Sequence, residues 1–387
     1  MAARIVLFGA TGYTGRLTAE AMVERGVRPV LAARSDERLA ELADALGGGL
    51  DTTRADVGDP RSVRALVERG DVLVTTVGPF MRFGKPAAAS AVTAGAHYLD
   101  STGEPPWIRE VFERYGPVAR KAGCGMLTAF GYDYVPGNLA GALALRAAGK
   151  DAVRVDTGYF ATGPADTGSM SGGTRATLVG VVTAPVFAFR GGRIRTERAA
   201  KRVRNFDVKG RERPAVSIGM SEHFSLPRVA PQLREVNTYL GWFGPASRPM
   251  QGFSLAASVA MKLPGAERGW DALTARFVKG SSGGPDADQR AAGGSWVVGI
   301  AYDGAGRELA EARVTGVDGY TFTGRILAWG AERAAAGGLR GTGALGPVDG
   351  FGLDELRAGC EEAGLTAEVS GESPRPAGAR PEARARA

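Results

Sequence analysis

Arg4-Ile5-Val6-Leu7-Phe8-Gly9-Ala10-Thr11-Gly12-Tyr13-Thr14-Gly15 is the stretch whose reading decides the fold. Ile5 to Phe8 is an apolar run of the length and composition of a buried parallel strand. It breaks into Gly9-x-x-Gly12-x-x-Gly15, and a helical pattern follows from Thr14 to Arg25. In a dinucleotide site the first glycine makes the tight turn. The second lets the backbone approach the pyrophosphate, and the third packs helix on strand. The helix N-terminus adds unpaired N–H groups and partial positive charge. Gly9, Ala10, Thr11, Gly12, Tyr13, Thr14 and Gly15 are therefore candidate cofactor-binding residues.

Outward from this loop, strand and helix alternate to about residue 130, the rhythm of a doubly wound α/β sheet. The expected strands are Pro29–Ala33, Leu50–Ala55, Val72–Val77, His97–Asp100 and Met126–Phe130. Helices fall between them: one to Leu46 with Leu39, Leu42 and Leu46 on one face, one begun by Asp59-Pro60, one over about Lys85–Ala94 and one over about Pro106–Ala122. Asp before Pro supplies an N-cap and a pre-set first helical position. Near 131 the rhythm changes. Val135–Ala148 reads as a helix and Val153–Phe160 as a half-buried strand. Trp296–Tyr302 and Glu308–Val314 flank Asp303-Gly304-Ala305-Gly306 as a hairpin, and Tyr320–Ala336 is a long helix. Residues 280–294, rich in Gly and Ser, read as a mobile loop. The Pro-, Arg- and Ala-rich end from 370 reads as a disordered tail.

A chain of 387 residues has room for two cores. Its two cysteines, Cys124 and Cys360, make no disulfide framework, and two histidines offer no metal-ligand spacing, so no metal is expected. The sequence enters its first strand at once, which leaves no room for a signal peptide and points to a cytoplasmic protein. Leu178–Phe189, the most apolar stretch, falls short of the roughly 20 residues of a membrane-spanning helix. Abundant Ala, Gly and Arg suggest a bacterial genome rich in GC. Residues 190–213 hold ten Lys/Arg, among them Arg193, Arg195, Arg198, Lys201, Arg202 and Arg204, against three acids, Glu197, Asp207 and Glu212. That local +7 equals the net charge of the whole chain. The band reads as a solvated hairpin or as the dock for an acidic carrier protein. Nucleic acid is not expected, because the segment has one aromatic, Phe206, and no recognition motif.

The end of the second strand selects the nicotinamide cofactor. NAD sites place Asp or Glu there for the ribose 2′-hydroxyl, whereas a 2′-phosphate needs a cation. This chain has Arg34-Ser35, a planar fork and a hydroxyl, which favours NADP(H); Arg38 stands one turn later. Asp56 is placed for the adenine amino group, and Val77, Gly78, Pro79 and Phe80 for the nicotinamide ribose. A short-chain dehydrogenase would need Lys four residues after a catalytic Tyr, and none of the nine tyrosines has one. No Gly-x-Ser-x-Gly stands between an expected strand and helix as a nucleophile elbow, which speaks against a Ser hydrolase.

Four motifs then occur in order: the glycine loop, Thr76-Val77-Gly78-Pro79-Phe80, Tyr98-Leu99-Asp100-Ser101-Thr102-Gly103-Glu104 and Gly131-Tyr132-Asp133-Tyr134-Val135-Pro136. As a set they resemble the saccharopine dehydrogenase-like oxidoreductases, in the branch of trans-acting enoyl reductases. Ser171-Gly172-Gly173-Thr174, Asp318-Gly319-Tyr320 and Gly343-Ala344-Leu345-Gly346-Pro347 are similar to later motifs of that branch. The resemblance implies a Rossmann-type NADP-binding domain over 1–130 and an α+β domain for substrate and dimerisation over 131–345. It implies a C-terminal helix segment over 346–369 returning to the first domain, with the helix at Leu353–Ala363, before the tail at 370–387. A homodimer is the matching expectation. Relatives commonly carry a small residue, often Ser, where this chain has Tyr134; a phenol there narrows the pocket and adds a proton donor.

Hydride chemistry belongs to the cofactor, so the protein must orient the acceptor and supply a proton. The candidates lie at the C-terminal ends of strands four to six. Tyr132, Asp133 and Tyr134 lead as catalytic residues, with Phe80, Tyr98, Asp100 and Glu104 nearby. Asp133 reads equally well as a proton donor and as the cap of the next helix. Asp100 and Glu104 read as braces of the loop, and His97 as structural; His223 is a weaker cleft candidate. The leading reading is reduction of a C=C or C=N bond with NADPH, the acyl substrate being a small molecule or carrier-bound, with Leu178–Phe189 bordering an acyl groove. The alternatives are a non-catalytic NADP-binding sensor or scaffold, and a reductase of an amino-acid-derived imine held by Arg175.

Overall fold

The computed structural model describes residues 3–163, 185–260 and 283–370. Ser171–Thr174, Arg175, most of Leu178–Phe189 and the segment from 371 lie outside the described residues.

The first sheet is wholly parallel. Its strands are β1 (Ile5–Phe8), β2 (Val30–Ala33), β3 (Thr52–Arg54), β4 (Val72–Thr75), β5 (His97–Asp100) and β6 (Gly125–Leu127), joined at one edge by β15 (Gly343–Ala344). The spatial order β15-β6-β5-β4-β1-β2-β3 puts the reversal of direction between β1 and β4, where ligands bind in doubly wound sheets. Strand β1 is buried along its whole length, as its unbroken apolar run requires. The helices of this half are α1 (Tyr13–Glu24), α2 (Asp36–Ala45), α3 (Pro60–Arg64), α4 (Phe80–Ala94), α5 (Pro105–Glu110) and α6 (Gly116–Ala122). Ser35 caps α2 by accepting from Arg38 N, and Asp59 caps α3, as expected, by accepting from Arg61 N.

Two expected boundaries move, each because of a distant partner. Helix α4 starts at Phe80, not Lys85, because the Glu104 carboxylate accepts the Phe80 and Met81 N–H groups at 2.5 and 3.1 Å. Strand β6 stops at Leu127, short of Phe130, because the chain turns to the Asp100 carboxylate. That carboxylate accepts from Ala129 N at 2.8 Å and from the Thr128 hydroxyl at 2.9 Å. The long helix expected to Ala122 runs without interruption from Pro105, with a π turn at Val111–Tyr115 just before Pro117, which has no N–H to continue the regular ladder.

The second sheet runs β10-β11-β12-β7-β13-β14-β16, with the β8–β9 hairpin attached at β12. Its members are β7 (Arg154–Thr162), β8 (Pro185–Arg190), β9 (Arg193–Arg198), β10 (Val203–Val208), β11 (Arg211–Ser217), β12 (Glu235–Leu240), β13 (Gly294–Tyr302), β14 (Glu308–Gly316) and β16 (Leu365–Val369). The hairpin expected around Asp303–Gly306 is β13–β14, paired from Ser295↔Gly316 to Tyr302↔Glu308. Helix α7 (Val135–Ala148), buried from Val135 to Leu145, lies on this sheet. A Cβ at Gly299 of β13 would lie 2.5 Å from the Ala140 carbonyl carbon, so only glycine allows that approach. Next come α8 (Glu222–Val229), α9 (Ser247–Ala260) and α10 (Ala287–Ala292). Helix α10 corrects the loop expected over 280–294 for its described part: Asp286 and Gln289 form a reciprocal capping box.

Helix α11 (Gly319–Ala335) crosses back to the first half. A Cβ at Gly324 would meet the Leu17 backbone of α1 at 2.9 Å, and one at Gly330 the Phe130 ring at 2.4 Å. After α12 (Pro347–Phe351), helix α13 (Leu353–Glu362) buries Leu356 and Cys360 and leads into β16 of the second sheet. Arg25, the C-cap of α1, reaches Glu332 of α11 at 2.6 Å and Glu362 of α13 at 3.0 Å. No described helix is long and apolar enough to cross a membrane.

Candidate active site

The glycine loop leaves β1 with Gly9 N donating to Ala32 O at 2.8 Å and Ala10 N to the same oxygen at 3.2 Å. Gly9 has φ +91°, in the left-handed region, and a Cβ there would collide with Thr76 and Val77 at 2.8 Å. A Cβ at Gly15 would sit 2.1 Å from Gly9 O, which fixes the third glycine as a packing residue. Gly12 differs. Among the described residues its added Cβ would meet only Gly9 O, at 3.2 Å, so the space beside it is open there. Gly12 is also the N-cap of α1 and brings no side-chain hydrogen bond to the first-turn N–H groups. An open approach, bare N–H donors and a helix dipole fit a pyrophosphate.

Around this loop, Arg34 is exposed at the end of β2 and makes no ion pair among the described residues. The Ser35 hydroxyl caps α2, and Arg38 donates to Thr11 O at 3.1 Å. Thr14 O accepts from the Thr18 hydroxyl. Asp56 is half-buried, with Oδ1 accepting from Gly58 N at 2.8 Å. The Thr76 hydroxyl donates to Gly9 O at 3.2 Å, which places the Val77-Gly78-Pro79 turn beside the glycine loop. Phe80 turns inward instead: its ring is buried 6.4 Å from Trp107. Tyr13 reaches across to the second half. Its hydroxyl donates to Pro285 O and accepts from Arg290 at 3.0 Å, and its ring stands edge-on to Tyr320 at 5.2 Å.

The strand ends beyond β4 build the other wall. Asp100, fully buried, accepts from Thr102 N, Trp107 Nε1, the Thr128 hydroxyl and Ala129 N, and so acts as the brace expected of it. His97 Nδ1 accepts from Gly125 N at 3.0 Å and ties two strands together. His223 is buried against Met220 and the Phe187 ring, and burial pushes its imidazole down to about 4. Tyr98 is fully buried within β5.

Asp133 stands apart. It does not cap α7, whose N-cap is Tyr134 with no side-chain hydrogen bond. Its Oδ1 is shielded from solvent and has no hydrogen-bond partner among the described residues; Oδ2 lies where a Cβ on Gly103 would be 2.9 Å away. Burial without a donor pushes this carboxyl up to about 7. The neighbouring phenols are committed: Tyr134 donates to Gly103 O at 3.1 Å and Tyr132 to Phe160 O at 3.3 Å. Burial raises both phenols, so both keep their protons.

Two residues of this cluster escape a reading of the sequence. Tyr159 of β7 meets the rings of Tyr132 and Tyr134 edge-on at 5.8 and 5.7 Å, and its hydroxyl lies 2.7 Å from Glu222 Oε1. Glu222 is fully buried with Oε2 unpartnered among the described residues. Its one visible signal is an acid inside the apolar-flanked Ser221-Glu222-His223-Phe224, where the histidine draws attention first.

The basic band of 190–213 forms two hairpins, β8–β9 and β10–β11. Several of its cations are spent internally: Arg190 on Glu235, Lys201 and Arg202 on Glu197, and Arg204 on Asp156. Arg193, Arg195, Lys209 and Arg211 are exposed.

Comparison with known proteins accords with this geometry. Residues 5–126 match the family model of the saccharopine dehydrogenase NADP binding domain. A trans-acting enoyl reductase of Mycobacterium bovis is 39% identical over 140 residues, 35% of this chain and 34% of that protein. The Mycobacterium leprae enzyme of the same name matches equally well. The longer match to a Mycobacterium tuberculosis relative, 37% identical over 184 residues, covers 46% of this chain and 44% of that one. The matches thus span less than half the length of these relatives. Saccharopine dehydrogenase (L-Glu forming) from Saccharomyces cerevisiae has the same fold, with a TM-score of 0.60 at 16% identity over 95% of this chain and 99% of that one. Through residues 5–126, where the open glycine loop and the matching family model coincide, the chain carries an NADP(H)-binding domain similar to that of saccharopine dehydrogenase.

Proposed function

We propose that this protein is an NADPH-dependent reductase that saturates the carbon–carbon double bond of an acyl chain presented on an acidic carrier, with Asp133 as proton donor. The observation that carries the reading is the Asp133 carboxyl. It sits just past β6, on the side of the sheet where ligands bind in this architecture, buried, with Oδ1 unpartnered among the described residues, and poised near neutrality. NADPH, when bound, supplies the hydride. The chain's own residues do the rest. The α1 N-terminus and Gly12 receive the pyrophosphate, and Arg34 faces the 2′-phosphate. Tyr132 and Tyr134, committed to backbone carbonyls, shape the pocket, and Asp133 holds the proton that the acceptor takes. The likeness to proteins named trans-acting enoyl reductases supports C=C over C=N as the reduced bond. The exposed cations Arg193, Arg195, Lys209 and Arg211 support an acidic carrier as the presenting partner.

NADPH oxidation, followed by absorbance, tests the reading with an α,β-unsaturated acyl thioester set against a cyclic imine of an amino acid. Turnover of the thioester alone is expected. Tight NADPH binding with no turnover of either would leave a sensor or scaffold. Arg34→Asp is expected to weaken NADPH by about 2 kcal/mol, on the order of thirtyfold, as a charge-assisted contact is lost. NADH affinity should stay level or rise. Equal NADPH affinity in fluorescence titrations of both proteins removes Arg34 from the site.

A further inference from the structure

The hydroxyl of Tyr159 has three polar neighbours: Glu222 Oε1 at 2.7 Å, Gly137 N at 2.8 Å and Tyr134 O at 3.2 Å. Gly137 N can only donate and Tyr134 O can only accept. A phenol has one proton and two lone pairs. All three contacts are hydrogen bonds at once in a single arrangement: Tyr159 donates to the Tyr134 carbonyl and accepts from Gly137 N and from a protonated Glu222. An ionised Glu222 would take the Tyr159 proton for itself. The Tyr134 carbonyl would then keep Asn138 Nδ2 at 2.7 Å and Asn138 N at 3.4 Å, while Oε2 would become a buried anionic oxygen with no cation among the described residues and only the Thr157 hydroxyl facing it. A buried charge without a counter-ion costs far more than the loss of one hydrogen bond at that carbonyl.

We infer that Glu222 is an uncharged hydrogen-bond donor that positions Tyr159 against the loop carrying Asp133. The packing leaves it no other posture. A Cβ on Gly137 would lie 2.2 Å from the Tyr159 oxygen and 2.3 Å from Glu222 Oε1, so the pair is wedged into the first turn of α7. The groups facing Glu222 are Asp133 and Tyr134 from the crossover, Tyr159 and Thr157 from β7, and Gly137 from α7. On its own helix, His223 turns to Met220, and Arg228 pairs with Asp349 at the far end. Burial and the nearby Asp133 together push the Glu222 carboxyl up to about 8. Asp133 is thereby left as the acid that exchanges its proton first, while Glu222 holds the frame behind it.

The inference rests on the reading of Asp133 as proton donor for its purpose, but its test reads Glu222 directly. The full-length protein, labelled with ¹³C at the Glu carboxyls, is titrated by NMR. One resonance is expected to stay protonated through pH 7 and to titrate near 8. It should vanish in Glu222→Gln and move to a lower midpoint in Asp133→Asn, where a like charge has gone. A purely structural packing role would not move that midpoint. If every Glu carboxyl titrates in the ordinary range, or the midpoint ignores Asp133→Asn, the inference is overturned. Should Glu222→Gln fail to fold, the wild-type and Asp133→Asn titrations decide alone. A Glu222 that titrates as expected beside an Asp133→Asn variant of full turnover would sink the proton-donor reading and leave this one standing.

Discussion

Gly12→Val is expected to abolish NADPH binding and leave the fold intact. Among the described residues a Cβ at this position meets only Gly9 O, at 3.2 Å, so a small shift of that carbonyl admits it and the side chain points into the open approach. A pyrophosphate needs that approach to reach the α1 N–H groups. Valine fills it, and the loss should exceed about 3 kcal/mol, over a hundredfold in Kd. Gly15→Ala supplies the contrast. Its Cβ would lie 2.1 Å from Gly9 O, so α1 must shift off β1, and thermal stability should fall along with binding. Fluorescence titration beside a melting curve separates the two. A Gly12→Val protein that binds NADPH at wild-type affinity, or that unfolds with Gly15→Ala, removes the phosphate role from Gly12.

The same loop shows what local sequence can carry. Strand β1, β5 and helix α7 stand where periodicity and flanking glycines put them, because the residues that start and stop them are neighbours in the chain. The start of α4 was not legible, since its cap arrives from Glu104, 24 residues away. The end of β6 likewise depends on Asp100, in the adjacent strand. Helix α10 was legible and misread: Asp286 and Gln289 stand at capping-box spacing, but the glycines before them dominated the pattern. In the site, the glycine spacing and Arg34 declare themselves. The contact of Tyr13 with Pro285 and Arg290 does not, because it forms only when the second half folds back across some 270 residues. Glu222 is silent for the same reason. An isolated acid on a short helix acquires meaning only when β7 brings Tyr159 within 2.7 Å of it.

Asp133→Asn is expected to move turnover and stability in opposite directions. Folding raises the Asp133 carboxyl from 3.8 to about 7, so between these values the folded state holds a proton that the unfolded chain has released. Stability tied to this group is therefore complete below about pH 4 and declines as pH rises through about 7. At about 1.4 kcal/mol for each pKa unit, the wild-type protein loses on the order of a few kcal/mol across that window. Asparagine has nearly the same shape and no charge to bury. Denaturant unfolding should find the variant close to wild type near pH 3.5 and more stable at pH 8. NADPH oxidation with an enoyl thioester should fall about 10²–10⁴-fold, the usual contribution of a positioned general acid. A group kept for chemistry at a cost in stability behaves this way, whereas a brace such as Asp100, with its four donors, would lose stability at every pH. If Asp133→Asn is destabilised equally at both pH values, the carboxyl is structural and the proton must come from elsewhere in the pocket.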